Sequence, residues 1–285
     1  MPTYKKINIA LVFVGEHALR NIIPVLLASP YYKMIGLYFR TQNPKLINKF
    51  RMYKIYREYS EVLDDKNVDC IYISSPNIDH FKHSYLALKS YKHVICEKPL
   101  TTNYENISEL IKLSLIVEKC IFEGFMFQYH QQFVELQNLM NSKNPEKLLT
   151  LVSRFGYPHL KKENIRYQKN LDGGAFFDCA CYLIKATYLI LGDNYKNIEG
   201  CISYDDDYEV DTGGVCLINY KSGPAVFLDW GMGRSYTNEI DIWTEKHRIK
   251  ANRFFSKSHD LESTIITVSY THLRAHETVL DLVCR

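Results

Sequence analysis

The amino-acid sequence predicts an α/β chain in two parts, a doubly wound parallel sheet followed by an α+β domain with an open, mainly antiparallel sheet. Short apolar strand-like runs alternate with helix-like stretches as far as about residue 122, the pattern of a parallel sheet with crossover helices. Beyond the next helices, strand-like runs follow one another with no helix between them, the pattern of antiparallel neighbours. The 285 residues, 46% hydrophobic and 24% charged, suffice for two hydrophobic cores.

Ile7 to Val14 is an apolar run broken only by Asn8, which suits a strand buried on both faces. A helical segment follows to Leu27, and Met34–Phe39, Asp69–Ser74, Val94–Cys96 and Cys120–Phe122 read as further strands with helices between most of them. A helix near Gln131–Met140 then leads into a strand at Leu149–Phe155, and a long helix spans about Ala175–Leu191, with Gly192 placed to end it. Ile198–Tyr204, Gly214–Tyr220, Ala225–Trp230 and Glu239–Trp243 make the second sheet. The expected domains are 1–122 and 123–267, the second truncated by a non-native tail at 268–285. That tail, from Val268-Ser269-Tyr270-Thr271-His272 through His276-Glu277-Thr278, resembles translated adaptor sequence and is set apart from the fold. His272 and His276 stand four apart as helical metal ligands can, but in such a tail they read as no site.

The net charge of +3 comes with no block of five or six like charges, which argues against nucleic acid as a partner. No run reads as a signal sequence or membrane span, so the expected location is cytoplasmic, with no membrane partner. The eight cysteines lie mostly in apolar runs without a C-x-x-C pair, and the histidines do not cluster near them. Buried reduced thiols and no metal site are expected.

The first strand ends in Phe13-Val14-Gly15-Glu16-His17-Ala18, where a dinucleotide-binding turn would read G-x-G-x-x-G/A. Such glycines let backbone N–H groups approach a pyrophosphate at a helix start. The middle glycine and the final small residue are present, so Val14, Gly15 and Ala18 are expected to line a cofactor in an N-terminal Rossmann domain. Phe13 replaces the first glycine, and Glu16 brings a negative charge near the phosphates. No carboxylate occurs between Glu16 and Glu58 to read the adenosine ribose, whereas Arg40 follows the second strand, where a guanidinium can pair with a 2′-phosphate. NADP(H) is therefore favoured, with NAD(H) possible.

Two segments carry the chemistry: Ser74-Ser75-Pro76-Asn77-Ile78-Asp79-His80, and Lys92-His93-Val94-Ile95-Cys96-Glu97-Lys98-Pro99-Leu100. They resemble the S/T-P-N-x-x-H and G-K-H-V-x-x-E-K-P motifs of the Gfo/Idh/MocA oxidoreductases. Glu123-Gly124-Phe125-Met126-Phe127-Gln128-Tyr129-His130 is similar to that family's domain-junction motif, and Gly173-Gly174-Ala175-Phe176-Phe177-Asp178-Cys179-Ala180-Cys181-Tyr182 to its second-domain helix. The resemblance covers about Ile7–Arg253 and implies a hydride-transferring enzyme, Ser75, Pro76, Asn77, His80 and Glu97 along its cofactor, and an often-cis bond after the lysine. In that frame Lys98 is the reacting lysine, its ammonium stabilising the negative charge that grows on a carbonyl oxygen during reduction.

Asp178, Tyr182 and Lys185 stand at i, i+4 and i+7 on the long helix, one polar stripe on an apolar element. Tyr182 matches the position of a proton-donating tyrosine in some branches of the family. Ala180 and Lys185 depart from the family pattern, the latter where dehydrogenases of the inositol type commonly have aspartate. Ile165-Arg166-Tyr167 and the run from Asp229 to Trp243 are similar to a branch that reduces keto groups on nucleotide-linked deoxysugars. The expected substrate contacts are Arg166, Asp178, Tyr182 and Lys185, and the expected reaction is NADPH-dependent reduction of a keto-sugar at C3. A sugar or cyclitol dehydrogenase is the alternative, and a non-catalytic dinucleotide- or sugar-binding sensor is the alternative of another class. The family resemblance also implies a homo-oligomer through the second-domain sheet.

Overall fold

Strand β1 (Ile7–Val12) sets the frame of the molecule. Ile9 and Leu11 bury against Met34, Leu37 and Phe39 on one face, while Ala10 and Val12 bury against Ile71, Ile73 and Val94 on the other. Each large side chain hidden this way contributes about 1.5–3 kcal/mol. The computed structural model describes residues 5–41, 43–140, 146–257 and 263–269.

The first of two units comprises Met1–Phe125, Lys161–Asp178 and Asp206–Val210. Its parallel sheet runs in the order β3 (Lys54–Tyr56), β2 (Tyr32–Tyr38), β1, β4 (Cys70–Ile73), β5 (His93–Cys96), β6 (Ile121–Glu123). The order reverses between β1 and β4, and at such a switch point the loops after the carboxyl ends of the strands diverge and leave a crevice for ligands. A π-helical turn, Ala18–Ile22, continues into α1 (Ile23–Ala28) after β1. Helices α2 (Pro44–Lys49), α3 (Tyr59–Asp64), α4 (Asn77–Lys89) and α5 (Tyr104–Ile116) follow in chain order. Asn43 and Asn103 cap α2 and α5 by accepting from backbone N–H groups of the first turn. Linear reading assigns Lys161–Asp178 to the second domain; in space it packs with the first unit.

The second unit comprises Met126–Leu160, Cys179–Asp205 and Asp211–Arg285. Its sheet order is β13 (Ile265–Ser269), β12 (His247–Asn252), β11 (Thr237–Thr244), β7 (Leu148–Tyr157), β10 (Ala225–Met232), β9 (Asp211–Tyr220), β8 (Tyr195–Tyr204). Only the central β7–β10 pair is parallel among these strands. Helix α6 (Gln131–Met140) precedes the sheet, and α7 (Cys181–Leu191) packs on β7 and β10. Gly192 ends α7 at φ 74°, its N–H donating to the Tyr188 carbonyl, a left-handed stop that a glycine makes without strain.

Several expectations change. The helix from Ala175 is not regular, because Phe176–Ala180 is a π turn, so Asp178, Tyr182 and Lys185 do not follow a uniform 3.6-residue spacing. Cys120 and Cys201 are exposed, whereas Cys70, Cys96 and Cys179 are buried as expected. The stretch Lys169–Leu191 is long and apolar enough to cross a membrane, contrary to the sequence reading. It is not one continuous helix, because Asp172 at φ 53° and Gly174 at φ 109° interrupt the regular helical hydrogen-bond ladder. Strand β13 takes in Val268 and Ser269, the first residues of the stretch set apart as a tail; Tyr270 onward, with His272 and His276, lies outside the described residues.

Candidate active site

The dinucleotide turn follows β1. Phe13 occupies the left-handed region at φ 57°, a conformation that glycine takes freely and phenylalanine adopts at a cost of about 1–2 kcal/mol. Its ring is held by stacking on His83 at 4.0 Å between centroids and by edge contact with Tyr38 at 5.1 Å. Val14 is buried and donates its N–H to the Tyr38 carbonyl, 3.2 Å away, which seats the turn beside β2. A Cβ added to Gly15 would meet nothing within 4 Å, so the backbone there faces open space, as close approach of a pyrophosphate requires. Ala18 is fully buried at the start of the π turn. Glu16 pairs with Arg20 at 3.5 Å, one turn along, which offsets its charge. Arg40 follows β2, exposed, and has no ion-pair partner among the described residues. These residues fit a nicotinamide dinucleotide, and the left-handed Phe13 preserves the turn that the missing first glycine would make.

The loop after β4 is anchored from below. Ser75 is buried, its hydroxyl 3.0 Å from His83 Nδ1, and burial pushes the His83 imidazole down to about 4, so the ring is neutral near pH 7. His80, buried at the first turn of α4, lies with Nε2 2.8 Å from the Ser75 carbonyl and Nδ1 2.6 Å from the Pro99 carbonyl. It thereby ties the β4 loop to the β5 loop. Pro76 precedes α4, and Asn77 opens that helix with its side-chain amide donating to the Asp172 carbonyl at 2.8 Å.

The loop after β5 holds Glu97 and Lys98, and the Lys98–Pro99 peptide is cis. Gly124 packs against this loop so closely that a Cβ would sit 3.2 Å from the Cys96 carbonyl and 3.3 Å from Glu97 Cα, and Glu123 accepts from the Leu100 N–H at 2.9 Å. The Glu-Gly pair of the junction motif thus buttresses the loop after β5. Glu97 accepts from the Tyr72 hydroxyl and pairs with His17 Nε2 at 3.3 Å. Burial raises its pKa, but His17, Tyr72 and the neighbouring Lys98 charge outweigh that and hold it below the usual carboxylate range.

Lys98 donates to Asp178 twice, to the carbonyl at 2.8 Å and to Oδ1 at 2.9 Å. The two side chains are 10% and 15% exposed, so this is a part-buried ion pair, screened less than a surface one. Arg166 Nε donates to the other oxygen, Oδ2, at 2.8 Å. Lys98, Asp178 and Arg166 therefore form one network in the first unit. Tyr182 belongs to the second unit, half-buried among aromatic rings, with Phe155 at 5.4 Å, Phe255 at 6.0 Å and Phe127 at 6.2 Å. Lys185 is half-buried on α7. Sequence reasoning did not assign roles to His17, Tyr72, His83, Thr102 or Asp172; His17, inside the dinucleotide motif, and Asp172, opening Asp172-Gly173-Gly174, carried a local signal.

The family model described as an oxidoreductase family with an NAD-binding Rossmann fold matches residues 7–125, and the GFO/IDH/MocA C-terminal domain matches residues 133–250. The chain is 26% identical over 252 residues to a dTDP-3,4-didehydro-2,6-dideoxy-alpha-D-glucose 3-reductase from Actinomadura kijaniata, covering 88% of this chain and 76% of that protein. A myo-inositol 2-dehydrogenase from Thermotoga maritima is 26% identical over 214 residues, 72% of this chain and 62% of that protein. The crystal structure of a 3-ketoreductase from A. kijaniata, in complex with NADP and TDP-benzene, superposes with a TM-score of 0.88 at 25% identity, covering 94% of this chain and 83% of that one. With both domain models matched along most of its length, the chain belongs to the Gfo/Idh/MocA family of NAD(P)-dependent oxidoreductases.

Proposed function

We propose that the protein is an NADPH-dependent ketoreductase that acts on a nucleotide-linked keto-deoxysugar at C3. The observation that carries this reading is the part-buried Lys98–Asp178 pair at the carboxyl edge of β5. A carbonyl reduction needs a fixed positive charge where negative charge develops, and an ammonium held by a carboxylate in a largely dry site provides it without reorganising during the reaction. The similarity to dTDP-3,4-didehydro-2,6-dideoxy-alpha-D-glucose 3-reductases supports this substrate class.

A bound reduced nicotinamide would supply the hydride for the carbonyl carbon. Lys98 hydrogen-bonds the carbonyl oxygen and stabilises the alkoxide charge, while Asp178 and Arg166 hold the ammonium in one direction. Tyr182 delivers a proton to that oxygen, leaving a hydroxyl on the sugar. Val14, Gly15 and Ala18 present the backbone turn to the pyrophosphate, and Arg40 reads the 2′-phosphate that distinguishes NADPH. Ser75, Pro76, Asn77, His80 and Glu97 shape the loops beside the nicotinamide ring, and Lys185 contributes a cation for the sugar. Val215, Phe227 and Trp243, 44%, 47% and 56% exposed, stand on the sheet face opposite the buried Leu151 and Phe155, and in this reading that face joins subunits.

The experiment is a fluorescence titration with NADPH and NADH, followed by an assay of reduced-nicotinamide consumption with dTDP-3,4-didehydro-2,6-dideoxy-glucose and, in reverse, with myo-inositol and NAD. Tighter binding of NADPH and turnover of the dTDP-sugar are expected. Faster oxidation of inositol would replace this reading with that of a cyclitol dehydrogenase, and absence of turnover with every substrate would leave the sensor reading.

A further inference from the structure

Asp172 is a charged residue in an unusual backbone position. It follows the 3-10 turn Lys169–Leu171 at φ 53° and ψ 47°, the left-handed region, where aspartate is tolerated better than most side chains but glycine costs nothing. Its two ends are fastened to different loops. Asn77 Nδ2, at the first position of α4 where the loop after β4 ends, donates to the Asp172 carbonyl at 2.8 Å. Thr102 Oγ1, four residues past Lys98 on the β5 side, donates to Asp172 Oδ2 at 2.6 Å.

The chain from Arg166 to Asp178 is itself closed by backbone bonds, since the Gly174 N–H donates to the Arg166 carbonyl at 2.8 Å and the Asp178 N–H to the Gly174 carbonyl at 3.1 Å. Through Gly174 the Asp172 turn is linked to Asp178, the residue that receives the Lys98 ammonium. All of these groups lie in the first unit.

We infer that Asp172 is a positioning residue, a latch that fixes Asp178, and through it Lys98, by joining the β4 and β5 loops at Asn77 and Thr102. The inference rests on the proposal that Lys98 polarises the substrate carbonyl. The Thr102 hydroxyl donates to a carboxylate in a part-buried turn, and such a bond also adds some stability. Its larger effect is on direction, because a catalytic group misplaced by about 1 Å can lose roughly a hundredfold in rate.

The test uses three variants of the full chain. Asp172→Gly removes the carboxylate and relieves the backbone, so any loss is not a consequence of strain. Thr102→Val removes the same bond from the other side, and Asp172→Asn keeps both an acceptor oxygen and tolerance of the left-handed region. Asp172→Gly and Thr102→Val are each expected to lower kcat about tenfold with KM for NADPH within about twofold, and the pair together to lose no more than either alone, because one bond is involved. Asp172→Asn is expected to restore near-normal kcat. Labelling of the Lys98 amine by an amine-reactive acylating reagent, read by mass spectrometry on cofactor-free protein, is expected to accelerate several-fold in the first two variants and not in the third. This measurement needs no turnover, so if the wild-type chain reduces no keto-sugar the functional proposal fails while labelling still decides the latch. Unchanged labelling and unchanged kcat in Asp172→Gly would overturn it, as would equal losses in Asp172→Gly and Asp172→Asn.

Discussion

The carboxyl edge of the parallel sheet carries two neighbouring regions built on opposite terms. Beside β1 and β2, the charged groups face water: Glu16 and Arg20 are 84% and 77% exposed along their side chains, and Arg40 is exposed as well. Beside β4 and β5 the charged groups are enclosed, with Lys98 and Asp178 at 10% and 15%. An exposed charge is screened and its contribution to stability is small, so the charged positions of the first region can change residues cheaply. An enclosed charge is costly without its partner, so the second region fixes its groups in pairs: Lys98 with Asp178, Asp178 with Arg166, Glu97 with His17 and Tyr72. Holding a pyrophosphate needs backbone N–H groups and open space. Polarising a carbonyl needs one charge in one place.

If this contrast is right, the largest effect comes from the enclosed region. Lys98→Met is expected to lower kcat by roughly a hundredfold or more while leaving NADPH affinity within a few-fold, because its charge acts mainly in the transition state. Steady-state kinetics with a parallel binding titration checks this, and comparable losses in affinity and kcat would move Lys98 into cofactor binding.

The seam between the regions gives the next effect. His83, stacked on Phe13 and bonded to Ser75, has its pKa lowered to about 4 by burial, whereas an unfolded histidine titrates near 6.5. The unfolded chain takes up this proton first, so stability is fully present above about pH 6.5 and falls as pH drops toward 4, by about 2 kcal/mol at pH 5. Urea melts of the wild type and His83→Gln across that window are expected to show a shallower loss in the variant. Parallel curves would mean that His83 is not buried as a neutral ring.

Effects on the exposed side are smaller. Arg40→Ala is expected to weaken NADPH by about 1–2 kcal/mol and leave NADH nearly unchanged, as only NADPH carries the 2′-phosphate. Equal losses for the two cofactors, measured by fluorescence, would remove the basis for the preference. Glu16→Gln comes last: binding of NADPH should tighten by no more than a few-fold at low salt, and the gain should vanish as ionic strength rises. A salt-independent gain would show that Glu16 is not screened.

Much of the first unit was legible because its strands are short apolar runs buried on both faces and its loops carry compact motifs. The strands β1, β2, β4, β5 and β6 fall within a few residues of the runs that predicted them. Strand β3 was not, since Lys54-Ile55-Tyr56 is too short to show a period, and β12, His247-Arg248-Ile249-Lys250-Ala251-Asn252, alternates too many polar residues to stand out. Of the site, Lys98 and Asp178 were picked out individually, but their pairing was not, because it joins residues eighty positions apart across a π turn that no simple repeat foretells. The latch at Asp172 was hidden for the same reason: Asn77 and Thr102 come from separate loops, and only the folded sheet edge brings them to one residue.

The central claim, that this chain reduces a keto-sugar by direct hydride transfer, is tested most directly with NADPH deuterated on the transferring face of C4. Incubated with the enzyme and dTDP-3,4-didehydro-2,6-dideoxy-glucose, it should give a product carrying one deuterium on C3 of the sugar, seen by mass spectrometry and NMR, and Lys98→Met should slow its appearance by roughly a hundredfold. Recovery of the sugar unreduced, or of product without deuterium at that carbon, would contradict the account.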